Sequence, residues 1–413
     1  MEYRRRLGDT LLDELLAEIP ALLVIGPRAT GKTTTLGRRA ATIVRLDREA
    51  EAAPFAADPD AAIRGLPEPV LLDEWQNVPG VLGAVRRAVD SDPHPNRFYV
   101  TGSVRAELEN TVWPGTGRLV RWAMYPMTIR EQIGRSEGLS FFDRIAQGDE
   151  LGEPSDPPDL RGYVELALRS GFPMPALRLS ERARRAWLES HVEDLLSHDI
   201  EQLEEPVTRR RDTHRLRRYF EAYALNSSGV VDHKAIYDAV QIRRETAVAY
   251  EGLLTGLFVL EQIPAWASNR LKRLVRQPRR YVVDAALLGA LLRVDESAVM
   301  RDGDLLGRAL DTFVAAQLRP EVAISTVRPR LHHVRSRQGR HEVDLVAELS
   351  GDRLIGMEIK ATAAPDRDDA RHLRWLRDSL GERFLAGIVF HTGPRAYALD
   401  DRITAAPIST LWG

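Results

Sequence analysis

The sequence predicts an α/β multidomain protein: a parallel sheet first, a helical, winged-helix-like middle second and a separate small α/β domain last. Three observations lead there. Up to about residue 135, short apolar runs alternate with helical patterns, as in strands joined by crossover helices. From about 160 to 300 helical periodicity dominates, and from about 305 the pattern runs helix, three strands, helix, strand. At 413 residues the chain is long enough for about two to four domains, each with its own core.

In the first region ALLVIG, TIVRLD, PVLLDE and RFYVTGS are the predicted strands. The first leads straight into GPRATGKTTT, where Gly26, Gly31, Lys32 and Thr33 fit G-x-x-x-x-G-K-[ST] between a strand and a helix-capable run. Gly26, Pro27, Arg28, Ala29, Thr30, Gly31, Lys32, Thr33 and Thr34 are therefore the predicted cradle for the phosphates of ATP. Its glycines let backbone N–H groups face the phosphates, Lys32 neutralises β/γ charge and Thr33 can ligate Mg²⁺. The third strand ends in Asp73 and Glu74. Asp73 can hold the magnesium and Glu74 can polarise the attacking water, so the pair predicts hydrolysis as well as binding. At the end of the fourth strand, Thr101 and Ser103 either sense the γ-phosphate or form an ordinary polar strand end.

GDELGEPSDPPD, residues 148 to 159, reads as a linker. Beyond it, HKAIYDAV, RRETAVAYEGLLTGL, FVLEQIP and RRYVVDAAL follow as helix, helix, strand, strand, an order that suits a winged helix-turn-helix. Arg243 and Arg244 open the second helix, where guanidinium groups can reach DNA phosphates, while Val248, Leu253 and Leu254 form its expected core face. Arg270, Lys272 and Arg273 would lie by the wing as further phosphate contacts. The net charge of −2 gives no global nucleic-acid footprint, so DNA binding must use such local patches. The basic runs 209–218 and 270–280 also suit a solvated charged face, and winged helices serve protein contacts as well.

In the last region, alternation along RLIGMEIK puts Glu358 and Lys360 on one face. Glu342 and Asp344 share a face of the preceding strand, and the short SGD turn permits a hairpin that brings Asp344 beside them. Two carboxylates and a lysine so placed suit metal-dependent phosphodiester hydrolysis, with a second Mg²⁺ or Mn²⁺ held by Asp344 and Glu358. The competing interpretation is a polar face on an edge hairpin. His332 and His333 lack metal-ligand spacing and read as ordinary strand residues.

Composition adds limits. With no cysteine, disulfides and thiolate zinc sites are excluded. No apolar run approaches the length of a membrane span or a signal peptide, so a cytoplasmic protein without membrane partners is expected. Of 58 cations only Lys32, Lys234, Lys272 and Lys360 are lysines, and two of these fall inside the candidate motifs.

GPRATGKTTT, LDRE, LLDEWQNVPG, FYVTGS and GRLVRWAMYPMT, followed by GFP, HDI, RYVVD and GRHEVDLVAE, resemble a family of prokaryotic ATP-binding proteins over nearly the whole chain. That family pairs an AAA-type ATPase domain with a C-terminal domain of unknown function. The resemblance implies an AAA-type sheet over 1–150, a helical linker over 151–205 and a winged-helix-like domain over 206–300. The C-terminal domain over 301–413 would be similar to the PD-(D/E)xK, restriction-endonuclease-like nucleases. It further implies Arg118 as a transition-state arginine, supplied in trans only within a homo-oligomer. An acidic metal ligand is also implied on the first C-terminal helix, where the chain offers the shorter Asp311 in place of Glu. Two functions are compatible with these features. One is an Mg²⁺-dependent ATPase acting on DNA through a metal-dependent nuclease domain, and the other an ATP-driven switch that binds a protein partner and does not cleave.

Overall fold

The computed structural model describes residues 3–103, 117–199, 213–267, 277–336 and 340–413. Strands β1 (Ala21–Ile25), β2 (Thr42–Arg45), β3 (Val70–Asp73), β4 (Phe98–Gly102) and β5 (Leu119–Ala123) form a parallel sheet of order β2-β3-β4-β1-β5. The first four are the predicted apolar runs. The residues of β1, β3 and β4 are buried on both faces because helices cover both. Leu23, Ile25 and Leu72 join one core with Val81, Leu82 and Val85 of helix Gly80–Ser91. Leu22, Val24 and Leu71 join another with Leu12 and Leu16 of helix Asp9–Leu16. Each such side chain contributes about 1.5–3 kcal/mol on burial. Parallel strands put the ends of β1, β3 and β4 on one edge, which is where an open α/β sheet holds ligands.

The middle region supplies helices Leu160–Arg169 and Glu181–Asp194, then Thr213–Leu225, His233–Ala239 and Arg244–Gly256. An antiparallel pair follows, β6 (Leu260–Ile263) and β7 (Arg279–Val282), in the expected order. Arg270, Lys272 and Arg273 lie outside the described residues.

After helix Gly303–Ile324 come β8 (Arg330–Arg335), β9 (Glu342–Glu348), β10 (Leu354–Ile359), β11 (Phe384–His391), β12 (Tyr397–Asp400) and β13 (Ile403–Pro407), ordered β12-β13-β11-β10-β9-β8. The hairpin β9–β10 forms as expected, with Met357 opposite Leu345. It is not an edge hairpin, since β11 pairs in parallel on the far side of β10. Both faces of β10 are accordingly buried, Ile355 and Met357 in one core and Leu354 in another.

Helix Gly303–Ile324 binds the regions together. Gln317 Oε1 accepts from Ile129 N at 2.7 Å, Glu321 accepts from Phe141 N at 2.8 Å, and Arg130 Nη1 pairs with Glu321 at 3.0 Å. Just beyond it, Asp143 accepts from Ser325 and Thr326 hydroxyls at 2.9 Å and from Val327 N at 3.1 Å. Among the described residues no helix is long and apolar enough to cross a membrane.

Candidate functional site

The loop after β1 is shaped by backbone constraints. A Cβ on Gly26 would lie 2.0 Å from the Met124 carbonyl oxygen, so only glycine fits beside the end of β5. Gly31, at φ 96°, turns the chain into helix Lys32–Gly37 in a conformation that other residues resist. Lys32 is 4% exposed, and its Nζ donates to Gly26 O at 3.0 Å, Pro27 O at 2.9 Å and Ser103 Oγ at 3.2 Å. Burial lowers its pKa to about 8, although Glu74 and Asp73 oppose the shift.

The strand ends converge on this lysine. Thr33 Oγ1 donates to Asp73 Oδ1 at 2.7 Å and the Thr101 hydroxyl donates to the same oxygen. Burial raises the Asp73 carboxyl against these two bonds. Glu74 adopts the left-handed region at φ 57°, a costly state for a non-glycine residue and one concentrated at functional sites. Its carboxylate accepts from Ser103 Oγ at 3.1 Å and from Gln76 Nε2 at 2.6 Å. The structure therefore brings Lys32, Thr33, Asp73, Glu74, Thr101 and Ser103 together. Ser103 bridges the lysine and the glutamate, whereas Thr101 steadies Asp73. Pro27 and Thr30 are buried in the loop, closed by a Thr30 Oγ1 bond to Pro27 O at 2.9 Å, while Arg28, Ala29 and Thr34 are exposed on it.

Two participants carried no signal in sequence. Gln76 sits in the 3₁₀ turn after Glu74. Arg6, from an N-terminal arginine run, donates to Thr30 O, Tyr125 O and Glu131 Oε1, each at 2.8 Å, and so fastens the phosphate loop to the body of the domain. Arg118 sits away from this cluster. It precedes Leu119, which is level with Ala21 at the start of β1, and its guanidinium pairs with Asp90 at 2.7 Å. It thus lies at the sheet edge opposite the loop and cannot reach the nucleotide site of its own chain.

The second predicted cluster also assembles, with an unforeseen member. Arg279 of β7, whose side chain is 6% exposed, reaches Glu342 Oε1 and Asp344 Oδ1, both at 2.9 Å, and donates to Asp344 O at 3.0 Å. The other Asp344 oxygen accepts from Ile359 N at 3.0 Å. Burial opposes ionisation of Asp344, yet Arg279, the Ile359 N–H and Lys360 outweigh it and hold the carboxyl below its ordinary value. Glu358, 2% exposed, meets Lys360 Nζ at 3.2 Å, and burial together with Asp344 drives its pKa well up. Asp311, hydrogen-bonded by Ser228, is pushed up to about 7 by burial and Asp344.

These residues do not fit a metal ion. Among the described residues no three His, Asp or Glu side chains are placed to hold one, so the assignment of Asp311, Asp344 and Glu358 as metal ligands is corrected. The physical reason is that Arg279 and the Ile359 N–H already occupy the Asp344 carboxylate, while Glu358 is paired with Lys360. The short arm of Asp311 is secondary. His332 and His333 are buried strand residues, as expected, and His333 Nε2 meets Gln277 O at 3.1 Å.

In the middle region Arg243 and Arg244 are exposed at the start of helix Arg244–Gly256. Of the expected core face Leu254 is buried, whereas Val248 is 52% exposed and Ala247 and Tyr250 are buried in its place. Arg279 and Arg280 also leave the basic run 270–280. Both are buried, and Arg280 Nε pairs with Glu251 at 2.9 Å.

Comparison with known proteins places three families along the chain. Residues 18–133 match an AAA domain, 160–298 a domain of unknown function (DUF8612) and 306–411 another domain of unknown function (DUF4143). Uncharacterized proteins of Mycobacterium bovis and Mycobacterium tuberculosis are each 28% identical over 416 residues, covering 100% of this chain and 85% of theirs. A Walker-type ATPase of Pyrococcus abyssi aligns at 16% identity over 70% of this chain and 95% of its own, with a TM-score of 0.42. With the loop geometry above, the match over residues 18–133 supports a P-loop ATPase domain of the AAA type in the N-terminal part of this chain.

Proposed function

We propose that the chain is an Mg²⁺-dependent ATP hydrolase that couples its nucleotide cycle to action on DNA. Its units would be the ATPase domain at 1–150, a helical linker at 151–205, a winged-helix-like domain at 206–300 and a nuclease-like domain at 301–413. The observation that carries the ATPase reading is the continuous network Thr33–Asp73–Thr101 and Lys32–Ser103–Glu74. Lys32 binds the β/γ-phosphates, exchanging its loop carbonyls for phosphate oxygens. Glu74, oriented by Gln76 and Ser103, accepts a proton from the attacking water. Thr33 and Asp73 fit a magnesium ion, which when bound screens the charge of the phosphates. Arg118 could serve only the site of a neighbouring copy. Exposed Arg243 and Arg244 support the DNA reading through phosphate contacts.

A second reading, a nucleotide switch for a protein partner with a non-cleaving C-terminal domain, is favoured by the guanidinium inside the carboxylate cluster. ATP turnover measured alone and with duplex, single-stranded and branched DNA separates the two. Salt-sensitive stimulation by any DNA form supports the first reading. Turnover indifferent to all of them supports the switch.

A further inference from the structure

We propose that the C-terminal carboxylate cluster is an internal guanidinium receptor, in which Arg279 from the middle region takes the place of a divalent cation. The inference concerns this cluster alone and stands whether or not the chain acts on DNA.

Three features of Arg279 point to it. First, its contacts are directional: one guanidinium nitrogen reaches both Glu342 Oε1 and Asp344 Oδ1 at 2.9 Å while another donates to the Asp344 carbonyl at 3.0 Å. A planar fork with several donors suits carboxylates and carbonyls gathered in this way, and a compact ammonium does not. Second, the site has no room for two cations. A hard divalent ion bound to Asp344 would approach its oxygen to about 2.0–2.2 Å, placing a double positive charge against the guanidinium already there. The remaining Asp344 oxygen is taken by Ile359 N at 3.0 Å, and Glu358 is paired with Lys360 at 3.2 Å. Third, Arg279 is buried and comes from a different sheet, so its charge has been desolvated for this contact. A buried cation requires fixed carboxylates around it, which accounts for Glu342, Asp344 and Asp311 without invoking a metal.

The cluster then fastens β7 to β9. It would admit a divalent cation only if Arg279 withdrew.

Mn²⁺ titration of the full-length chain, followed by electron paramagnetic resonance without nucleotide, tests this. Asp73→Asn is present throughout to silence the ATPase site. In this background Asp344→Asn should leave Mn²⁺ binding unchanged, since Asp344 holds no metal. Arg279→Ala should create a site that binds Mn²⁺ at least about ten-fold more tightly, and adding Asp344→Asn should abolish it. Arg279→Lys should gain at most a small part of that affinity, because a cation remains. The proposal is overturned if Asp344→Asn lowers Mn²⁺ affinity while Arg279 is intact, or if folded Arg279→Ala gains none. Should Arg279→Ala not fold, Arg279→Met, which keeps more of the buried stem, replaces it, and the Asp344→Asn comparison decides independently of any change at Arg279.

Discussion

The buried lysine of the phosphate loop makes ATP affinity depend on pH in a calculable way. Lys32 has a pKa of about 8 in the free protein because burial outweighs the attraction of Glu74 and Asp73. ATP binds the charged form and raises that pKa, so binding takes up a proton and weakens as pH rises through 8. The charged fraction falls from about nine-tenths at pH 7 to about one-tenth at pH 9, a loss of about ten-fold in affinity or about 1.4 kcal/mol. Little of this comes from the nucleotide, whose terminal phosphate titrates near pH 6 and is largely ionised by about pH 7.5. The measurement is calorimetric titration with ATP and Mg²⁺ between about pH 7.5 and 9.5, in buffers of different ionisation enthalpy so that proton uptake is read directly. Lys32→Arg, whose guanidinium does not titrate in this range, should give a nearly flat profile. A flat wild-type profile, or the same decline in Lys32→Arg, would refute the reasoning.

At the same site, Lys32→Ala should lose ATP affinity, whereas Glu74→Gln should bind ATP within about two-fold of wild type and turn it over at least about a hundred-fold more slowly. Equilibrium binding and single-turnover hydrolysis distinguish these effects. Replacing exposed Arg243 and Arg244 with alanine should make the salt slope of DNA binding shallower by up to about 0.9 per lost phosphate contact, with ATP affinity intact. Asp143→Ala should cost about 1–3 kcal/mol in urea unfolding, since it removes the acceptor of the buried Ser140 hydroxyl and of the part-buried Ser325, Thr326 and Val327 donors. The Asp143 carboxyl is held below its ordinary value because these hydrogen bonds outweigh burial. Its stabilisation is thus full above about pH 4 and lost as pH falls through the lower folded-state value, so the variant should lose less stability than wild type on acidification.

The nucleotide site was legible because its chemistry lies in short contiguous stretches, each attached to an apolar strand. Lys32 and Thr33 follow the short loop after β1, and Asp73 closes β3. β5 was not legible as a strand, since LVRWA sits at the edge with Val120 and Arg121 exposed and lacks the fully apolar run of its neighbours. β12 and β13 were missed as well, being short strands in a stretch rich in alanine, aspartate and proline. The C-terminal cluster was read correctly as a meeting of Asp344, Glu358 and Lys360, because alternation along paired strands fixes which residues share a face. Its filling was not. Arg279 stands 65 positions before Asp344 in a run of cations, and nothing local distinguishes a buried arginine from its neighbours in that run. Arg6 escaped notice for the same reason, since its partners Thr30, Tyr125 and Glu131 are distant in sequence.

The long helix Gly303–Ile324 limits how modular this architecture can be. It belongs in sequence to the C-terminal domain, yet Gln317 and Glu321 complete the hydrogen bonding of Ile129, Arg130 and Phe141 near the end of the ATPase region. A fragment ending before residue 303 would leave the Arg130 guanidinium deprived of its carboxylate, at a cost of about 3–5 kcal/mol if the surroundings did not rearrange. Recombination that swaps C-terminal domains between such ATPases would have to carry the stretch 128–145 along with the helix. The smallest stretch that could be exchanged with these bonds intact is therefore larger than the C-terminal domain itself.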